Sequence, residues 1–396
     1  MRHVKRILAD ILASLFIVFC FLRYLHVTDK EQTVVFSRGA FRRDIASFRN
    51  DTLLIVIVME WVRRFLRFGV PDGYLEQVVC LSYKPQIRAA FPLTMYTASY
   101  FLNKRRTRLV FGGVDYFEVA MFADHSFYQS GTRIDAVFHE NYAIEYVRNL
   151  NFALYKSIAN RFLFDDLYVY GPPACEILAG FTSNPSGLHR MVMPRLARME
   201  NDAQFLNRLY QINTASFGKT ILLLAFPGPE YLAPICFTST LLELAKLGST
   251  GSCRPVVKFK NKISAKLSIR QAGYLERHLK WVFQGTVEEL VWQAGFTVVF
   301  NSISLYEALL GPTIVIIPAY LDSQHDSNIL QECQQSVENL GERMLSVRFI
   351  NSPTEISQIM SSVDGFEITE IVSKERALRK ELVARKFYIV ETDSNQ

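Results

Sequence analysis

The segment FTVVFNSISLYEALLGPTIVIIP, Phe296 to Pro318, constrains this chain more than any other. Thr297–Phe300 is apolar and β-branched, follows Gly295, and predicts a short buried strand. Asn301-Ser302-Ile303-Ser304 is a polar turn suited to cap a helix over Leu305–Leu310, which Gly311-Pro312 ends. Thr313–Ile317 predicts a second buried strand, closed by Pro318. Such a β-turn-α-turn-β unit puts its first turn at the carboxyl end of a strand, where open parallel sheets bind ligands. Free backbone N–H groups at the helix start favour an anion, and Glu307 lies one turn further in. The same residues also suit an ordinary crossover in which Asn301 and Ser302 only cap a helix.

The pattern repeats along the chain. Thr33–Phe36, Thr52–Met59, Arg108–Phe111, Asp135–Phe138 and Leu167–Tyr170 read as strands separated by helical stretches, among them Glu60–Phe68 and Ala174–Ala179. Ile221–Phe226 and Pro255–Lys258 continue the series, with a helix over Pro234–Lys246. Alternation of this kind predicts an α/β fold with mostly parallel sheets. The 396 residues, 49% of them hydrophobic, are enough for two such domains. Residues 201–218 are polar and lack a buried-strand signature, which makes them a linker between domains at 31–200 and 219–372, with a helical tail at 373–396.

Several strands end in chemistry. Ser37-Arg38-Gly39 is a turn able to hold an anion through Arg38 and the Gly39 backbone. Lys258, Lys260 and Lys262 alternate, so an extended chain projects them to one side, facing either a phosphate or solvent at a protected sheet edge. His139 and Glu140 follow the strand at 135–138 and are candidate proton acceptors, or a structural His beside a capping Glu. His125 beside Asp124 is a second candidate.

The first thirty residues differ in kind. Arg2, His3, Lys5 and Arg6 precede Ile7–Leu22, apolar but for Asp10 and Ser14, and Arg23 closes the run. A bilayer span needs about twenty apolar residues, so residues 1–30 read as a helix lying in a membrane surface, with a buried helix or a single-pass anchor as the other readings. The six cysteines are scattered without a C-x-x-C pair, which fits a reducing cytoplasm and indicates neither zinc nor disulfides. A net charge of +6 suits phosphate ligands or an anionic surface, and no RNA-recognition motif, zinc finger or long basic run points to nucleic acid. Elbow, zincin, Walker A and G-x-G-x-x-G signatures are absent.

Asn301-Ser302, Glu307-Ala308-Leu309-Leu310-Gly311 and the Pro-ended strand together resemble the donor-site unit of GT-B glycosyltransferases, above all those that build bacterial surface polysaccharides such as capsule and O-antigen. Phe164–Phe181 and Met191–Leu196, with Pro194-Arg195, resemble the strand, Gly turn, helix and short strand near the end of that family's first domain. The resemblance is strong at 296–318 and weak elsewhere. It implies two facing Rossmann-like domains, an acceptor side first and a nucleotide-donor side second, with the active site between them. It also implies transfer of a sugar from a nucleotide-sugar donor to a lipid-linked or growing surface polysaccharide, at the cytoplasmic face of the membrane.

In that scheme Asn301, Ser302, Ser304, Lys258 and Lys260 hold the diphosphate, Glu307 reaches a ribose hydroxyl, and His139 or Glu140 is the base. The loop Ala319-Tyr320-Leu321-Asp322 lines the sugar pocket, and the tail helix Ser373–Lys386 crosses back onto the first domain. Lys-Phe-Lys at 258–260 stands where the family often has His-Pro, a departure that weakens the carry-over to those lysines. Without Asp-x-Asp the expected mechanism is metal-independent and needs no cofactor, the departing charge falling to helix N–H groups and cations. Three other activities are compatible with this fold: a CDP-polyol phosphotransferase, a sugar-nucleotide 2-epimerase, and a non-catalytic component of a polysaccharide assembly complex.

Overall fold

The computed structural model describes residues 2–27, 31–37, 53–71, 74–77, 84–114, 116–138, 164–193, 196–197, 199, 207, 211–212, 214–225, 233–259, 269–282, 285–299, 303–318, 320 and 344–386. The described residues form two compact units, one within residues 2–193 and one within residues 196–386. Each holds one six-stranded, wholly parallel sheet.

In the first unit β1 (Glu31–Ser37), β2 (Leu54–Val58), β3 (Arg106–Phe111), β4 (Arg133–Phe138), β5 (Asp166–Val169) and β6 (Leu188–Arg190) lie in the order β2-β1-β3-β4-β5-β6. The strand direction of progress reverses between β1 and β3, a doubly wound topology. Its helices are α1 (Arg2–Leu22), α2 (Met59–Gly69), α3 (Tyr74–Gln77), α4 (Lys84–Ala90), α5 (Pro92–Leu102), α6 (Phe117–Phe122) and α7 (Pro172–Ala179). The strand expected over Met191–Leu196 is instead β6, three residues earlier. Register decides this: Leu188–Arg190 pairs with Leu167–Val169, and Met191 only donates its N–H to Val169 O at 2.8 Å.

α1 is a packed helix of this unit. It runs beside α2 and α5, and at its crossing with α2 a Cβ on Gly69 would lie 2.7 Å from Ala9 Cβ. Asp10, an obstacle to membrane insertion when read in sequence, turns inward. Its carboxylate accepts from Leu93 N at 2.9 Å, Thr94 N at 2.7 Å and Thr94 Oγ1 at 2.6 Å. Those amides lie in the first turn of α5, so Asp10 caps that helix from another one. Asp10→Ala leaves buried donors without an acceptor. The expected loss is about 2 kcal/mol of unfolding free energy, measured by urea denaturation. No helix among the described residues is long and apolar enough to cross a membrane.

In the second unit β7 (Thr220–Ala225), β8 (Arg254–Phe259), β9 (Lys280–Val282), β10 (Phe296–Val299), β11 (Ile314–Pro318) and β12 (Val347–Ile350) follow the order β12-β11-β10-β7-β8-β9. Counted within the unit this is 3-2-1-4-5-6 read from β9, the Rossmann order, with its switch point between β7 and β10. The helices are α8 (Thr214–Phe217), α9 (Ala233–Ser249), α10 (Ile269–His278), α11 (Val287–Val291), α12 (Ile303–Leu309), α13 (Glu355–Ser362), α14 (Gly365–Lys374) and α15 (Arg376–Lys386). β10 and β11 are buried throughout, as strands covered by helices on both faces must be. Ile221, Leu223, Val257, Val298 and Ile316 face one core with Leu241 and Leu244 of α9 and Ile368 of α14. Each such side chain contributes about 1.5–3 kcal/mol by leaving water.

Gly311 does more than end α12. A Cβ there would sit 2.1 Å from Val291 Cγ1, so its bareness lets α12 close against α11. β9, β12, α8, α10 and α13 had no counterpart in the sequence reading. The tail helix expected as one piece over Ser373–Lys386 is the last two residues of α14 followed by α15, broken at Glu375.

Candidate functional site

The carboxyl edge of the second sheet has its switch point between β7 and β10. β10 ends at Val299 and the chain enters α12 at Ile303, and β7 ends beside it at Ala225. Lys258 stands near the carboxyl end of β8. Lys258, Leu224 and Val299 share one rank across β8, β7 and β10, because Leu224 pairs with both of the others. Strand spacing then puts the backbones of Lys258 and Val299 about 10 Å apart, a separation that a diphosphate-bearing ligand spans. Lys258 is half-buried. Ser304 and Glu307 lie on α12, buried to 9% and 3% exposure, with Glu307 one turn beyond Ser304 on the same helix face. Thus Lys258, Ser304 and Glu307 lie on elements that meet the carboxyl edge of the sheet beside its switch point.

The other selected residues, Asn301, Ser302, Lys260, Arg38, Gly39, His139 and Glu140, lie outside the described residues. Four of them adjoin a described element in sequence: Arg38 succeeds β1, His139 succeeds β4, Lys260 succeeds β8 and Ser302 precedes α12.

Two sequence suggestions change. His125 lies in a short 3-10 turn before β4, 3.3 Å from Asp165 Oδ2, and Asp165 immediately precedes β5. That pair is at the amino ends of the strands, away from the ligand-binding edge, so His125 is unsuited to act as base there. Its neighbour Asp124 is bound to Arg88 at 2.6 Å. Burial alone would raise the Asp124 pKa, but hydrogen bonds from Arg88 and Ser126 hold it below the usual carboxylate range. Tyr320, expected to line a sugar pocket, is buried in the core with its hydroxyl on Thr240 Oγ1.

The acidic residues at the amino edge of the first sheet are structural. Asp166 binds Arg133 and His189, and Asp165 accepts from Ile134 N at 2.7 Å. Asp135 is fully buried against Arg108 at 2.6 Å, and burial pushes its pKa up against the pull of Arg108 and Arg133. Among the described residues no three His, Cys, Asp or Glu side chains gather as metal ligands would. A cavity of about 430 Å³ in the second unit is lined by Thr220, Arg254 and Lys280 at the starts of β7, β8 and β9. It too lies at the end of the sheet opposite the switch point.

The sequence reading passed over Glu118. It is buried in the first turn of α6, the helix that follows β3 at the switch point of the first sheet. The signal was present as one carboxylate inside the apolar run Phe117–Ala123.

No protein family matches this chain, and no curated protein matches it in sequence. Among solved structures, HepE of Anabaena in complex with UDP and glucose is similar at 12% identity and a TM-score of 0.49, over 95% of this chain and 92% of that one. Os79 from O. sativa, in complex with U2F and trichothecene, is similar at 14% identity and a TM-score of 0.41, over 94% and 97%. A mutant TarM of S. aureus, solved with UDP among its ligands, is similar at 12% identity and a TM-score of 0.39, over 74% and 56%. At these values the likeness carries neither ligand nor activity over to this chain.

Proposed function

We propose that the chain is a metal-independent glycosyltransferase of GT-B type, taking its sugar from a nucleotide-activated donor. The observation that carries this reading is the Rossmann-order second sheet with Lys258 on one side of its switch point and Ser304 and Glu307 on the other. In the proposed site Lys258 and Lys260 neutralise the donor diphosphate, with Asn301, Ser302 and Ser304 donating hydrogen bonds to its oxygens. Glu307 accepts from a ribose hydroxyl. The sugar goes to a lipid-linked or growing surface glycan, on the cytoplasmic side of the membrane.

Transfer with inversion requires three coupled changes. The acceptor hydroxyl gives its proton to His139 or Glu140, its oxygen bonds to the anomeric carbon, and the bond from that carbon to the diphosphate oxygen breaks. The leaving diphosphate then keeps the electron pair, and the cations and N–H groups around it stabilise that charge.

His139→Ala and Glu140→Gln separate these roles. The variant lacking the base is expected to lose about 10²–10⁴ in turnover, measured as nucleotide release with acceptor present. Donor affinity should stay within about threefold of wild type, because the base acts on the acceptor. Unchanged turnover in both folded variants removes His139 and Glu140 from the mechanism. A donor that binds but never turns over favours the non-catalytic reading.

A further inference from the structure

We propose that the outer faces of α1, α2 and α5 form a docking surface for an anionic lipid bilayer, with α1 lying along the membrane plane. The proposal stands whether or not the chain transfers sugars. α1 is two-sided in an unusual way. Ala9, Ala13, Ile17 and Phe21 face the protein and are buried. The opposite stripe, Val4, Leu8, Ile11, Leu15, Phe19 and Leu22, recurs at helical spacing and is exposed, Leu15 by 59% and Phe19 by 52%. An outer helix face ordinarily carries the charges. Here the helix has a single carboxylate, Asp10, and it points inward to cap α5.

The two neighbouring helices extend the same surface. Trp61 and Phe68 on α2 are exposed, and Leu93, Tyr96 and Tyr100 on α5 are as well, Tyr96 by 71%. Direct contacts tie these helices to α1. The Phe16 and Phe65 rings lie 6.1 Å apart, Phe65 lies 6.3 Å from Trp61, and Phe21 stacks on Phe101 at 4.8 Å. Exposed apolar side chains on adjoining elements, in greater number than scattered surface residues, mark an interaction site.

The charges choose the occupant. Lys5 lies 5.5 Å over Phe68, Arg23 5.4 Å over Phe19, Arg64 5.5 Å over Trp61 and Lys104 4.3 Å over Tyr100. Basic side chains laid across exposed rings place apolar stems and charged heads as a headgroup boundary requires. Against them, these three helices carry one exposed carboxylate, Glu60. A second copy of the chain docked by a two-fold axis would set these cations against their own kind. An anionic leaflet attracts all of them at once while its acyl region takes Leu15, Phe19 and Trp61. The inner face of α1 is committed to α2 and α5, so the helix rests on the surface.

Flotation of the full chain with lipid vesicles tests this. Vesicles of phosphatidylcholine with about 30% phosphatidylglycerol should carry the protein at low salt, with binding at least about tenfold weaker on pure phosphatidylcholine. Leu15→Gln with Phe19→Gln should weaken binding to anionic vesicles by about tenfold or more. Both positions are exposed, so the melting temperature should stay at the wild-type value, which separates lost docking from lost folding. Trp61 emission should shift to shorter wavelength on binding, and the Trp61→Phe variant should lose that shift. Three outcomes overturn the proposal: no flotation at low salt, flotation unchanged in the double variant, or a dimer in solution that the double variant breaks while vesicles carry nothing.

Discussion

Arg379→Ala is expected to lower the protein's stability by about 3 kcal/mol, read as a fall of roughly 6–12 °C in the thermal midpoint. Arg379 is the largest fully buried side chain among the described residues. From α15 its Nη2 donates to Ala308 O at 3.0 Å and to Thr313 O at 3.1 Å, joining the end of α12 to the start of β11. One turn earlier Glu375 accepts from Ser346 N at 2.8 Å, just before β12. This short stretch therefore ties down two loops of the second unit. Burial pushes the Arg379 pKa down to about 9, with Glu375 pulling it back up, so its charge is held at some cost. Truncation removes the carbonyl partners and opens a cavity. Arg379→Met keeps the bulk and discards the costly charge, and should lose about half as much. A midpoint for the Ala variant equal to wild type would contradict this role.

The second large effect is on ligand affinity. Lys258→Ala and Glu307→Ala are each expected to weaken donor binding by about 10–100-fold, the loss of one charge-assisted contact to a phosphate or one acceptor of a ribose hydroxyl. The two losses should be separable by ligand. Removing the ribose contact should weaken nucleosides and nucleotides alike, whereas removing Lys258 should matter only when phosphate is present. Isothermal titration with a nucleoside and its diphosphate distinguishes them. Because Glu307 is buried, its variant must also melt cooperatively for the loss to count.

Which parts of this were legible in the sequence follows from how local each signal is. β10, α12 and β11 could be read because a continuous β-branched run, a polar turn and a Gly-Pro stop all fall within twenty-three consecutive residues. Lys258, Ser304 and Glu307 could be placed for the same reason: Lys258 lies near the end of a readable strand, and the other two on the helix that follows one. β9 could not be read that way, since Lys280-Trp281-Val282 is three residues long and half-exposed, without an apolar run. The box that starts α14, Asp364 with Glu367, was present in the letters and went unread. Asp10 was beyond any local reading, because the amide it serves lies 84 residues away. Strand order is of that non-local kind too: nothing near Ile221 states that β7 sits between β8 and β10.

The central claim is a nucleotide-donor site at the β7–β10 switch point, and ligand-induced stabilisation of the purified full chain tests it most directly. UDP, GDP, CDP, CMP, dTDP and their sugar conjugates would be added in turn while thermal unfolding is followed. One nucleotide class is expected to raise the midpoint by several degrees at about a hundredfold excess over its dissociation constant, and Lys258→Ala and Glu307→Ala should each cut that rise to about half or less. A midpoint that no nucleotide moves, or a rise that persists undiminished in both variants, would contradict it.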